Sequence, residues 1–178
     1  GPDVPLWQAI LSVSFGVVVG EQIFGGRGHN FLSPAVAALS FLMFSFPNTS
    51  VGEPGHAMAI AALLAAILLL ATGLISWRIV VSAVAGLLGC ALVFGAADPL
   101  AGVITGSFVF ALVFLACDPV GAASNNAGRW AYGALFGALT VVLAGSAGVP
   151  SMRSVVFAAL LASVLAPLID QIAIAANV

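Results

Sequence analysis

The chain has no lysine. Its 178 residues include four arginines, six acids and two histidines, so only 6% of the sequence is charged. A soluble globular domain carries about a quarter charged residues, and a shortage this deep excludes that class. The net charge of −2 excludes a nucleic-acid binder, which needs a basic face. Cysteine is nearly absent. Cys90 and Cys117 lie far apart, inside or at the end of apolar stretches and outside any CxxC spacing, which argues against a disulfide framework or a thiolate metal site. No basic segment precedes an apolar core and a small-residue cleavage site, as a secretory signal would require. No nucleophile is spaced with a base and an orienting acid, so hydrolytic catalysis has no support.

What is present is apolar. Hydrophobic residues make up 62% of the chain and the mean hydropathy is +1.24. Seven apolar runs can be marked, at 5–24, 31–46, 57–75, 77–94, 100–117, 130–144 and 152–174. A membrane span needs about 20 residues, within roughly 17–25, which the first, third, fourth, fifth and seventh runs supply. Runs two and six are short and follow polar, small-residue loops. They read either as half-helices or re-entrant pieces or as ordinary short, tilted helices. The expected fold is an all-α polytopic membrane protein of about seven apolar segments, forming a single membrane domain over 1–178.

Charge placement orients it. If every run crosses, Arg27, Arg78 and Arg129 share one side, while Asp3, Glu53 and Asp98 share the other with Arg153. The positive-inside rule then puts the N-terminus outside and the C-terminus inside. A faint internal echo suggests repeat halves around 5–47 and 57–174. Pro5-Leu6 opens run one, Glu21 lies near its end, and a glycine-rich loop leads to a short run. Pro99-Leu100 opens run five, Asp118 ends it, and the Asn125-Asn126 loop leads to another.

The stretch 114–139, FLACDPVGAASNNAGRWAYGALFGAL, concentrates the polar residues. Asp118 and Arg129 flank its loop, either as a structural ion pair or as part of a site. Asn125 and Asn126 can donate and accept hydrogen bonds along the edge of a flat ring, or serve as helix-cap residues. Gly25 and Gly26 open a second loop in which close backbone approach to a ligand, or simply a tight turn, is possible. Gly16 with Gly20, and Gly133 with Gly137, have the four-residue spacing of helix packing. Ionisable groups within apolar runs are functional candidates by default. Glu21 is one, its alternative being an interfacial pair with Arg27. Asp170 is the other. Pro167 frees a carbonyl near residue 163, which offers the carbonyl and hydroxyl of Ser163 as oxygen co-ligands of a hard cation such as sodium.

These motifs resemble a known family. The segment PLWQAILSVSFGVVVGEQIFGGRGHNFLSPAVAALSFLMFSFP, with ISWRIVV, FLACDPVGAAS, NAGRWAYGALFGAL and LLASVLAPLIDQIAIAAN, resembles the B subunit of the sodium-translocating NADH:quinone oxidoreductase and its relative, the D subunit of Rnf electron-transport complexes. The resemblance implies a multi-pass protein of the bacterial inner membrane with a urea-transporter-like repeat architecture. It implies lipid and other membrane subunits, or a homo-oligomer, as partners. It also implies a flavin site to which Gly25, Gly26, Asn30, Ser33, Asp118, Asn125 and Asn126 belong, and a cation site at Asp170 and Glu21. The departures from the family are specific. The family's SGAT segment, whose threonine holds FMN covalently, is absent, and Pro47 to Glu53 runs almost straight into run three. No covalent FMN is therefore expected, and any riboflavin or FMN would be non-covalent. The family's N-x-x-N-P element reads Asn30-Phe31-Leu32-Ser33-Pro34, and Cys117 stands where threonine is usual. Three functions fit: an electron-transport subunit of an ion-translocating oxidoreductase, a small-solute channel without redox chemistry, and a scaffold for a flavoprotein.

Overall fold

The computed structural model describes residues 4–23, 32–49, 51–95, 99–118, 121–145 and 149–175. Among these, every regular element is a helix. Helix α1 (Leu6–Val17) runs on into a π-helical segment (Val18–Gln22). Helices α2 (Pro34–Ser45), α3 (His56–Ala71), α4 (Trp77–Val93) and α5 (Pro99–Ile104) follow. Helix α6 (Gly106–Ala111) continues into a second π-helical segment (Leu112–Ala116), before α7 (Asn126–Ala144) and α8 (Met152–Ala175).

Local chemistry sets the ends. Pro34 occupies the first turn of α2, where its missing N–H is no loss and its fixed φ suits the helix. Gly73 ends α3 at φ 72°. Its N–H bonds to the Leu70 carbonyl and that of Leu74 to the Leu69 carbonyl, the paired bonds of a left-handed helix stop.

Two runs depart from expectation. Run 100–117, expected as one unbroken span, is divided at Thr105, whose ψ of 128° is extended. Next to the break, a Cβ on Gly106 would lie 2.7 Å from the Pro54 carbonyl oxygen. The connection before α3 thus presses on this point, and only glycine allows it. Run 130–144, expected to be short, is part of a 19-residue helix because α7 begins at Asn126. Helices α7 and α8 are long and apolar enough to cross a membrane, while the other apolar helices of the described residues are shorter.

The tightest pair is α4 against α7, and small residues make it so. A Cβ on Gly133 would lie 2.6 Å from the Ile79 carbonyl, and one on Gly137 2.6 Å from the Leu87 nitrogen; Gly86 meets the backbone of Ala134 in return. Gly16 of α1 and Gly20 of the π-helical segment that continues it do the same against Pro34 and Ala38 of α2. Both glycine pairs therefore serve helix packing, because small residues let backbones approach where lipid offers no hydrophobic drive. Fully buried Phe108 and Phe136 stack at 5.8 Å between α6 and α7. Outside this core the surface is itself apolar: Leu6, Phe44, Leu64, Leu92 and Val93 are all well exposed. That arrangement suits a hydrocarbon surround, in which exposed apolar side chains cost nothing.

Candidate functional site

The N-terminus of α7 is built by a side chain from the far end of the next helix. Asn125 holds the N-cap position of α7 but makes no capping bond with its side chain. Asp170, on α8, instead holds the backbone that enters the helix. Its Oδ2 accepts from the Ser124 backbone N–H at 2.8 Å and from the Ser124 hydroxyl at 2.9 Å, and its Oδ1 accepts from the Asn125 N–H at 3.2 Å. These bonds go to the N-cap residue and the one before it, just ahead of the first helical turn, and the carboxylate faces the positive end of the helix dipole. Gly128, in the first turn, leaves the room, since a Cβ there would overlap Asp170 Oδ1.

The rest of the loop closes on itself. The Asp118 carbonyl accepts from the Ala122 N–H at 3.0 Å. Arg129 donates from Nε to the Ala123 carbonyl at 3.2 Å. Beside it, Arg129, Ser76, Gly73, Cys117 and Ala123 line a cavity of about 110 Å³, the share of liquid volume taken by a few water molecules at about 30 Å³ each. On the same flank, Trp77 and Trp130 meet edge to face at 5.9 Å and the Arg78 guanidinium lies 5.3 Å from the Trp77 ring, an aromatic and cationic rim of the kind found at membrane interfaces.

The structure thus brings Asp118, Asn125, Asn126 and Asp170 together around one loop and one helix end. It does not bring Ser163 to them. Seven residues of helix separate Ser163 from Asp170, about 10 Å along the axis at 1.5 Å per residue, too far for both to hold one ion. The Ser163 hydroxyl is buried near the Tyr132 hydroxyl, and among the described residues neither makes a hydrogen bond of ordinary geometry. The expectation of a shared cation site with Ser163 is therefore corrected, since Asp170 faces the loop and not its own helix's proline break.

The other candidates frame the first glycine-rich loop. Glu21 is half-buried on the π segment Val18–Gln22, and Ser33 is a buried N-cap residue whose carbonyl accepts from Ala37. Gly20 and Pro34 touch, so the two ends of the loop meet. Gly25, Gly26 and Asn30 lie outside the described residues.

Sequence reasoning gave Glu53 only a place on the outer side. In the structure its Oε1 accepts from the Met152 N–H at 2.9 Å and its other oxygen accepts from the Ser107 hydroxyl. It thereby ties the start of α8 to α6 beside the break at Thr105. Around it the 47–53 connection is fastened by Thr49 to Gln8 at 2.8 Å and by Arg153 Nη2 to the Pro47 carbonyl at 3.0 Å. The available signal was scarcity: an acid in so apolar a chain, set between a glycine and a proline just before a helix, needs partners.

The chain matches the NQR2, RnfD, RnfE family over residues 1–52 and 48–178. It is 31% identical to the B subunit of the Na(+)-translocating NADH-quinone reductase of Stutzerimonas stutzeri (strain A1501), over 231 positions covering 99% of this chain and 57% of the relative. The Yersinia pestis protein of the same name is 30% identical over 235 positions, with the same coverage. The chain therefore spans little more than half the length of these relatives. The alignments are also longer than the chain, and the two family matches meet at 48–52. The relatives thus carry an internal segment where this chain has its short, fastened connection.

Proposed function

Because the chain belongs to the NQR2, RnfD, RnfE family, we propose that it is a membrane-embedded electron-transport subunit that holds a non-covalent riboflavin or FMN and couples to sodium movement. It would sit in the bacterial inner membrane as a multi-pass protein, alongside other membrane subunits or a further copy of itself. If it takes part in catalysis, it does so as a subunit of an ion-translocating oxidoreductase. A flavin, when bound, supplies one- and two-electron redox chemistry.

The observation that carries this reading is the division of labour at the start of α7. Asp170 fixes the backbone of Ser124 and Asn125, while the Asn125 side chain makes no capping bond and Asn126 is exposed. Two amides at the end of the loop that Asp118 begins suit the donor and acceptor edge of a flavin ring, with Ser33, Gly25, Gly26 and Asn30 supplying the other loop. Sodium coupling follows from the same carboxylate. A cation bound at Asp170 competes with the Ser124 and Asn125 N–H groups, so ion binding loosens the loop that holds the amides. Glu21 has the corresponding place before the first loop. The two π-helical segments support the paired halves and a urea-transporter-like arrangement, because each lies just ahead of one of these loops, and π segments are rare and frequent at functional sites.

The test is thermal unfolding in sodium against potassium at equal ionic strength. Sodium shifts the midpoint for the native protein, and Asp170→Asn abolishes the shift while still folding. A full sodium response in Asp170→Asn contradicts the reading. A second reading, a small-solute channel, is favoured by the break at Thr105, since discontinuous helices build substrate sites near the bilayer midplane. Solute-driven swelling of liposomes carrying the flavin-free protein would select it.

A further inference from the structure

Glu53 stands on a cleft of about 600 Å³ that the proposed redox role does not use. Its walls come from four places: Leu39 on α2, Met58 on α3, Phe110 on α6, and Met152 at the start of α8, with Val51 and Glu53 from the connection. The volume lies in the range of small-molecule sites, about 300–1,000 Å³, which are mostly apolar with a few placed polar groups. Among the described lining residues, the charged group is a carboxylate whose two oxygens are fixed by Met152 N–H and the Ser107 hydroxyl. Each oxygen has a further lone pair to offer. Arg153 follows Met152 in the chain and is exposed. One Nη is fixed on the Pro47 carbonyl, which leaves most of the guanidinium's five N–H donors for another oxygen ligand.

A fixed anion on a mostly apolar trough, with an oriented cation one residue beyond the Met152 that lines it, matches one kind of molecule. We propose that this cleft binds a phospholipid whose headgroup carries a primary ammonium. The ammonium donates to the Glu53 carboxylate, the phosphate accepts from Arg153, and an acyl chain lies along Leu39, Met58 and Phe110. Arginine suits phosphate because its fork of N–H donors matches the oxygens. The ammonium must be primary or otherwise N–H bearing, because a trimethylated nitrogen cannot donate to Glu53. The position supports this occupant. The cleft is at the point where the relatives hold an extra internal segment and this chain holds residues 48–52, so here the trough is bounded by a short connection in place of a longer one. The surrounding exposed side chains of α3, Ile60, Leu64 and Ile67, are those of a lipid-facing helix.

The experiment uses the full chain in nanodiscs of phosphatidylethanolamine, phosphatidylcholine or phosphatidylglycerol, each diluted equally into the same inert lipid. The readouts are the unfolding temperature and the lipid retained on release into the gas phase for native mass spectrometry. Phosphatidylethanolamine is expected to raise the unfolding temperature above both other lipids and to be retained several-fold more often. Glu53→Gln is expected to lose the preference over phosphatidylcholine, and Arg153→Gln to lower retention of all three phospholipids. Equal effects of phosphatidylethanolamine and phosphatidylcholine, a preference for phosphatidylglycerol, or an undiminished preference in Glu53→Gln would each overturn the proposal. If Glu53→Gln fails to fold, the three-lipid comparison on the native chain and the Arg153→Gln variant still decide it.

Discussion

Asp170 and Gly128 act as one unit, and their substitutions should show it. Asp170→Ala removes three hydrogen bonds to a charged acceptor and a charge at a helix N-terminus. A lost cap costs about 1–2 kcal/mol and bonds to a charged group somewhat more. Gly128→Ala places a methyl group against the same carboxylate and should destabilise to a comparable degree, although alanine is the better helix former. In the double variant the methyl group no longer meets the carboxylate and keeps only its contact with the Ala123 Cβ at 3.2 Å, so the two costs should sum to clearly more than the double variant's loss. Chemical or thermal unfolding of the four proteins checks this, and strict additivity would mean that the two residues do not meet. Asp170 was legible as an acid that needed a purpose. Its actual partners were not, because Ser124 and Asn125 lie some 45 residues away in sequence and only the return of α8 to the start of α7 brings them together.

Helix pairing was the more legible part. The spacing of Gly133 and Gly137 and of Gly16 and Gly20 marks contact faces by itself, because few other reasons exist for two glycines one turn apart in an apolar helix. The break at Thr105 was marked only by the short Thr105-Gly106-Ser107 stretch in an otherwise apolar run, and the pressure on it comes from Pro54, far away in sequence. The start of α7 was half legible: Asn125 could be read as a helix cap, and it is the N-cap residue, but the apolar run itself begins only at Trp130. A contrast within α4 tests the packing account. A Cβ on Gly86 would meet the Ala134 backbone, whereas Gly89 has open space around it. Gly86→Val should destabilise by about 1–3 kcal/mol as an overpacked contact. Gly89→Ala should be neutral or stabilise by up to about 1 kcal/mol through helix propensity alone. Equal effects at the two sites, measured by unfolding in detergent, would contradict the α4–α7 interface.

Across the molecule, the arginine distribution predicts that the Arg78 and Arg129 flank faces the cytoplasm and the Glu53 connection the opposite side. Single cysteines placed in those loops, in a background lacking Cys90 and Cys117, should label accordingly with an impermeant reagent in right-side-out vesicles; labelling from outside at the Arg129 loop would invert the topology. Belonging to the family follows from the whole length of the chain, although the two family matches meet at residues 48–52 and the alignments to the relatives run longer than the chain. What remains is a helical scaffold with two polar loops, one of them latched by Asp170 and carrying two amides. The claim that these loops hold a redox cofactor is tested most directly by the visible absorption spectrum of the purified protein, produced with ample riboflavin and FMN, before and after acid precipitation. The account predicts a flavin spectrum whose colour passes entirely into the acid supernatant and is lost in Asn125→Ala. A colourless protein, or colour that stays with the precipitated chain, would contradict it.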